Sequence, residues 1–279
     1  MPLFHYTDLN AVVSILQHRK LWLTDLRYLN DKTEFSHGVS RLLAATTNAP
    51  HGLFCNPMFA PQAAHVVRTK MEEAGQHGVS FDPIYICSLS RAENLLSQWR
   101  GYGQYAIEFD EVLLRQQAPS MLECVYDSKI QTNLALGAIT DAIQSVSHAL
   151  DDHGCIGEGG YDALTRLLTL AATFKDEGFA EEREVRLVFS DDGRDTKFRV
   201  RNNILVPYVE LPISLDCVKA VHIGPINERE LAEISLRDFC SKIENQWQNE
   251  SANIEYWLQV KSLQFRIGLY DSQVLTRSA

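Results

Sequence analysis

Apolar residues at Leu9, Val12, Val13 and Leu16 recur at the helical spacing i, i+3, i+4, i+7. Behind the short apolar opening "LFHYT", the pattern therefore predicts a helix over about residues 8–18, with Thr7 or Asp8 as its N-cap. The basic "QHRK" closes it, as the negative end of a helix dipole favours. "LWLTD" reads as a strand, and "YLNDKTEF" as a turn capped into a second helix from about Thr33. The chain thus opens strand–helix–strand. Residues 46–60 read as a loop and a helix follows near 61–75. "PIYICSLS", "QYAIEFD" and "LECVYD" predict strands, with a short helix or turn in "AENLLSQWRGYG" between the first two.

The next pattern is helical again. Ile130, Leu134, Leu136, Ile139, Ile143, Val146 and Leu150 predict one helix over 129–152. "GCIGEGG" breaks it and "YDALTRLLTLAATF" starts another. Short strands then dominate: "REVRLVF", a hairpin-like turn in "SDDGRD", its partner "KFRVR", and then "VPYVEL" and "CVKAVHI". "NERELAEISLRDFCSKI" adds a helix and "YWLQVKSL" a last strand. This alternation is too irregular for a doubly wound sheet and fits a mixed α+β fold. No Pro-, Gly- or Ser-rich linker interrupts it. The expectation is one α+β domain over residues 1–279, with a helical insert at about 129–175.

Composition narrows the classes. The 279 residues are 45% hydrophobic and 22% charged, an ordinary globular balance that can bury a sizeable core. No apolar run approaches the roughly 20 residues that span a bilayer, and no basic-then-apolar leader opens the chain. Cysteines at 55, 87, 124, 155, 217 and 240 form no CxxC pair, which points to a reduced, cytoplasmic protein and away from zinc. Cys87 and Cys217 lie in apolar runs and read as buried thiols. The formal net charge of −10 argues against a dedicated DNA binder, which needs a basic face, and leaves nucleic acid open as a transient substrate.

Four stretches carry polar residues where periodicity alone does not ask for them. In "HYT", His5 is either a structural hydrogen-bonding residue at a strand end or a partner for a ribose hydroxyl. In "DLRYLNDKTEF", Arg27, Asn30, Asp31 and Glu34 form a capped turn, or Arg27 grips a phosphate with its planar fork. In "LLSQWRGYGQYAIEFD", glycines make a tight turn, and Trp99 and Tyr102 either pack beneath it or offer rings to a flat, cationic ligand, with Arg100 between them. In "FAEEREVRLVF", period two places Glu182, Glu184 and Arg186 on one strand face, with Val185 and Leu187 on the other. Charges inside an apolar segment are costly unless paired or facing a cleft. If that face is a cleft, Glu184 is the deepest carboxylate and the catalytic candidate.

Taken in order, "FHYT", "LWLTDLRYLND", "ICSLS", "LLSQWRGYG", "YAIEFD", "FKDEGFAEEREVRLVF" and "VHIGP" resemble the bacterial domain of unknown function 2971 family, over residues 3–225. That family resembles, more remotely, the ADP-ribosyltransferase superfamily, whose core is a split mixed β-sheet flanked by helices. The resemblance implies NAD as substrate and an unknown macromolecular acceptor, protein or nucleic acid, or water. It implies His5 near the ribose, Tyr6 or Thr7 near the nicotinamide, and Glu184 as the catalytic carboxylate with Glu182 beside it. Trp99 and Tyr102 become a stacking pair, and Arg27 and Arg100 the diphosphate partners. It also implies a role as a toxin or in phage defence. Two other classes use the same residues. Asp25 or Asp31 with Glu182 and Glu184 would hold a divalent cation in a nuclease, although Arg186 stands where such sites carry lysine. A non-catalytic module would sense a nucleotide and signal through the helical insert.

Overall fold

The structure is a computed structural model describing residues 1–29, 32–49, 57–77, 83–118, 120–190, 195–252 and 266–269. The chain runs β1 (Pro2–Thr7), α1 (Leu9–His18), β2 (Lys20–Asp25), α2 (Lys32–Thr46), α3 (Ala60–His77), β3 (Ile84–Ser90), α4 (Leu96–Tyr102) and β4 (Tyr105–Asp110). It continues through α5 (Glu111–Gln117), β5 (Met121–Glu123), α6 (Ser128–His153), α7 (Gly157–Ala171), β6 (Glu184–Ser190), β7 (Lys197–Arg201) and β8 (Ile204–Pro212). β9 (Val218–Ile223), α8 (Arg229–Ala252) and β10 (Arg266–Leu269) complete it. The fold is mixed α+β around a predominantly antiparallel sheet, as the pattern predicts.

The sheet branches at β3. One edge of β3 pairs along its length with β6, from Ile84↔Ser190 to Ser90↔Glu184, and β6 also takes β5. The other edge is shared: Phe4 of β1 pairs with Ser90, while Thr24 and Asp25 of β2 pair with Ile86 and Tyr85. From β1 one arm continues through β4, β9 and β10, and from β2 the other continues through β8 and β7. Among the described strands, β9 and β10 are the one pair that runs parallel.

Alternation along the strands feeds two cores. Tyr85, Cys87 and Leu89 of β3, with Val185 and Leu187 of β6, meet Val12 and Leu16 of α1, Leu114 of α5 and Leu236 of α8. Ile84, Ile86 and Val188 on the other face meet a lobe of α2, α3, α6 and α7 through Val39, Leu42, Met71, Ile143 and Leu167. Burying such a side chain stabilises by roughly 1.5–3 kcal/mol, so the lobe is held chiefly by apolar area. Its helices come close enough that a Cβ on Gly38 would lie 2.0 Å from the Ala171 carbonyl oxygen.

The caps follow the sequence. Asp8 accepts from Ala11 N–H at the start of α1, and Asp127 accepts from Lys129 and Ile130 N–H at the start of α6. Several expectations shift. "LECVYD" is a strand only over Met121–Glu123, and Val125 instead bridges Phe174. α7 begins inside the glycine stretch, at Gly157. The turn residues 191–194, the last strand expected in "YWLQVKSL", and Cys55, Asn30 and Asp31 lie outside the described residues. Cys87 and Cys217 are buried free thiols.

Gly103 joins α4 to β4 with φ +135°, and a Cβ there would stand 2.3 Å from the Thr7 carbonyl oxygen. That backbone region is essentially restricted to glycine and costs another residue about 1–3 kcal/mol, before any overlap. Gly103→Ala is therefore expected to lower the melting temperature by several degrees. Gly101→Ala, whose Cβ meets nothing within 4 Å, is the matched control. Equal melting curves for the two variants would remove the constraint.

Candidate functional site

Between Phe4↔Ser90 and Thr24↔Ile86 no ladder pair spans Cys87, Ser88 and Leu89 on the shared edge of β3. β1 and β2 diverge there, and α1 links them. His5 fills part of the gap by donating from Nδ1 to the Ser88 carbonyl at 3.0 Å. The fork opens into a cavity of about 540 Å³, lined by His5, Thr7, Trp22, Thr24, Ser88 and Tyr102 together with the charged groups below. Its lining comes from both faces of the sheet: Ile15 and Cys87 from the α1 side, Ile86 and Glu184 from the lobe side.

One side is a buried charge network. Lys175, 1% exposed, reaches Glu34 Oε1 at 2.9 Å, Glu182 Oε2 at 2.7 Å and Glu184 Oε2 at 2.7 Å. Arg186 donates from Nε to Glu184 Oε1 at 2.7 Å, and its terminal nitrogens reach Glu34, Glu184 and the Ala172 carbonyl. Two cations against three carboxylates leave one negative charge in excess. Burial pushes the Glu184 pKa up, but Arg186 and Lys175 outweigh it and hold the carboxyl at about 2. Glu182 goes the other way: burial raises it, and Lys175 only partly compensates. Among the described residues no donor reaches Glu182 Oε1. Burial lowers the Lys175 pKa, but Glu184 and Glu34 outweigh it and keep the ammonium charged.

Two neutral groups stand beside the network. Tyr102, 41% exposed, has its phenol pushed up to about 12 by burial and by Glu184. His5 is lowered by burial, against the Ser88 hydrogen bond, and is lowered further by Arg199. It is therefore neutral at pH 7, with the proton on Nδ1 and Nε2 left as an acceptor. Cys87 lies 3.8 Å from the same ring, but burial pushes its thiol up to about 12, so it is no thiolate nucleophile.

The other side is basic and comes from the β2–β8–β7 arm. Arg199 and Arg201 of β7 line the cavity. The Arg199 guanidinium lies over the rings of Trp22 (5.2 Å) and Tyr208 (5.8 Å) and donates to Thr24 Oγ1 at 2.9 Å.

His5, Thr7, Tyr102, Glu182 and Glu184 share this cavity, although β3 separates β1 from β6. Glu182 is not on the strand. It ends a 3₁₀ turn (Glu177–Glu182), and Arg183 in the left-handed region (φ 41°) swings it back toward Lys175. Tyr6 borders the cavity but is 4% exposed, its hydroxyl donating to the Ala92 carbonyl and its ring edge-on to Trp99. Three expectations are corrected. Trp99 is buried in that cluster and cannot stack on a ligand. Arg27 is clasped by Asp25 (2.6–3.2 Å) and Arg100 is exposed; neither lines the cavity. Sequence reasoning missed Lys175, Arg199 and Arg201, and gave Glu34 no role beyond a capped turn. A lysine directly behind the apolar run "LTLAATF" was the one available signal.

No family model, curated protein or solved structure matches the chain. Among the described residues, no cluster of three or more His, Cys, Asp or Glu is placed to hold a metal ion, and no helix is long and apolar enough to cross a membrane.

Proposed function

We propose that the chain is an NAD-dependent, ADP-ribosyltransferase-like enzyme that breaks the nicotinamide–ribose bond and passes ADP-ribose to a macromolecule or to water. One observation carries the reading: a single cavity in a strand fork gathers His5, Tyr102, Glu182 and Glu184 with a basic far side. The fork supports reading the sheet as a split sheet of the ADP-ribosyltransferase kind, in line with the resemblance of "HYT" and "AEEREVRLV" to that superfamily and to the domain of unknown function 2971 family. A toxin or phage-defence role rests on that resemblance.

The chemistry assigns roles. Loss of nicotinamide leaves positive charge on the ribose C1′ and ring oxygen. Glu184, ionised at any physiological pH and clamped by two cations, is a preorganised anion for that charge. Glu182, with one unbonded oxygen and a raised pKa, takes the proton from the attacking hydroxyl or water. His5 Nε2, left as an acceptor by the Nδ1 bond to Ser88, accepts from a ribose hydroxyl. The half-exposed Tyr102 ring faces the cationic nicotinamide.

The nuclease reading fares worse on geometry, since Lys175 and Arg186 stand between the carboxylates that would have to share a divalent cation. The test is incubation with adenylate-labelled NAD and a cell lysate. Nicotinamide release that survives a chelator, with label on a macromolecule or in free ADP-ribose, is the expected result. NAD that raises the melting temperature and is never consumed would favour the sensing module. Chelator-sensitive cleavage of nucleic acid without nicotinamide release would favour the nuclease.

A further inference from the structure

Arg199 has surroundings unlike those of the other arginines in the site region. Arg27, Arg91, Arg115 and Arg186 each meet a carboxylate within 3.0 Å. Arg199 meets none among the described residues; its one hydrogen bond goes to Thr24 Oγ1, and its Nε is buried with no partner. A buried N–H without an acceptor is costly, because it has given up water and gained nothing in return. Burial pushes the Arg199 pKa down and the neighbouring Arg201 guanidinium pushes it further, while Tyr208, Cys87 and Asp8 offset only part of this. Asp8, also on the cavity wall, forms no ion pair with it and instead caps α1. Meanwhile Trp22 and Tyr208 hold the planar group in place by their faces. A fixed, underpaired fork beside a second cation, opening on a cavity, is built to receive an anion with several acceptor oxygens.

We propose that Arg199, with Arg201 beside it, forms a phosphate-binding subsite of the cavity and takes the diphosphate of a nucleotide ligand. For NAD in particular the proposal rests on the reading above and fixes the ligand's direction: diphosphate on the β7 side, reacting ribose beside Glu182 and Glu184. For phosphate as such it does not depend on any turnover.

The experiment is calorimetric titration of the full chain with ADP, inorganic pyrophosphate and adenosine. ADP and pyrophosphate are expected to compete, and ADP to bind at least tenfold more tightly than adenosine, with ADP and pyrophosphate weakened by added salt and adenosine not. Arg199→Gln should cost ADP at least tenfold and leave adenosine unchanged, while Arg100→Gln, outside the cavity, changes neither. Should Arg199→Gln not fold, Arg199→Lys keeps a charge between the two rings and loses the fork; a several-fold loss of pyrophosphate affinity is expected. Unchanged ADP or pyrophosphate affinity in these variants, or a wild-type chain that binds ADP no better than adenosine, overturns the subsite. If ADP binding depends on Arg199 while NAD is never cleaved, the subsite stands and the glycosyl-transfer reading falls.

Discussion

Lys175→Met is expected to lower the melting temperature by on the order of 10 °C, the largest stability effect of any single substitution in the site. Lys175 is the one ammonium that touches Glu34, Glu182 and Glu184 together. Removing it leaves the buried Glu182 without its cation and the buried Glu184 and half-buried Glu34 with Arg186 alone, and breaking a buried pair of this kind costs about 3–5 kcal/mol. The surplus carboxylates would then take up protons more readily, so the variant should regain part of its lost stability as the pH falls from 7 toward 5. Thermal melts of both proteins across that range provide the check. A variant that melts with the wild type at pH 7 would show that the network is not buried as described.

On the proposed reading, Glu184→Gln is expected to cut NAD turnover at least a hundredfold, several kcal/mol in the barrier, because that reading makes this carboxylate the counter-charge to the developing positive charge. Glu184 also neutralises Arg186 and Lys175, so the glutamine should melt lower as well. The two effects separate by acid dependence. With a folded-state pKa of about 2, below that of an unfolded glutamate, Glu184 contributes stability that is fully present at neutral pH and is lost as the pH falls from roughly 4 toward 2. Glutamine abolishes that acid limb. Glu182, its pKa raised, opposes folding at neutral pH and is relieved by acid, so it adds nothing to the same limb. Full nicotinamide release by a folded Glu184→Gln protein would remove Glu184 from the chemistry.

Local pattern made the helices and most strands legible, because amphipathic spacing in α1 and α6 and alternation in β3 and β4 report burial directly. It made Glu182, Glu184 and Arg186 stand out, because charge inside an apolar run is an anomaly in one dimension. The fork was not legible from spacing. It depends on which strands share an edge of β3, a relation between residues sixty or more positions apart. Arg199 and Arg201 did not stand out, since nothing in "KFRVR" tells that Arg199 leans over Trp22 and reaches Thr24. Trp99 misled for the opposite reason. A large ring next to glycines reads equally well as a platform or as a filler, and only its edge-on contact with Tyr6 decides for the filler.

The lobe's two ends are both sewn to the first residues of β6. Cys124 N–H donates to the Glu184 carbonyl and Glu184 N–H to the Tyr126 hydroxyl, while Ala172 and Lys175 serve Arg186 and the carboxylates from the far end. The long excursion between β5 and β6 is thus no detachable ornament. Pruning it to leave only the sheet and its cavity would strip Arg186 and Glu184 of their counterparts, so whatever else the helices do, they supply the scaffold that keeps the charges in register.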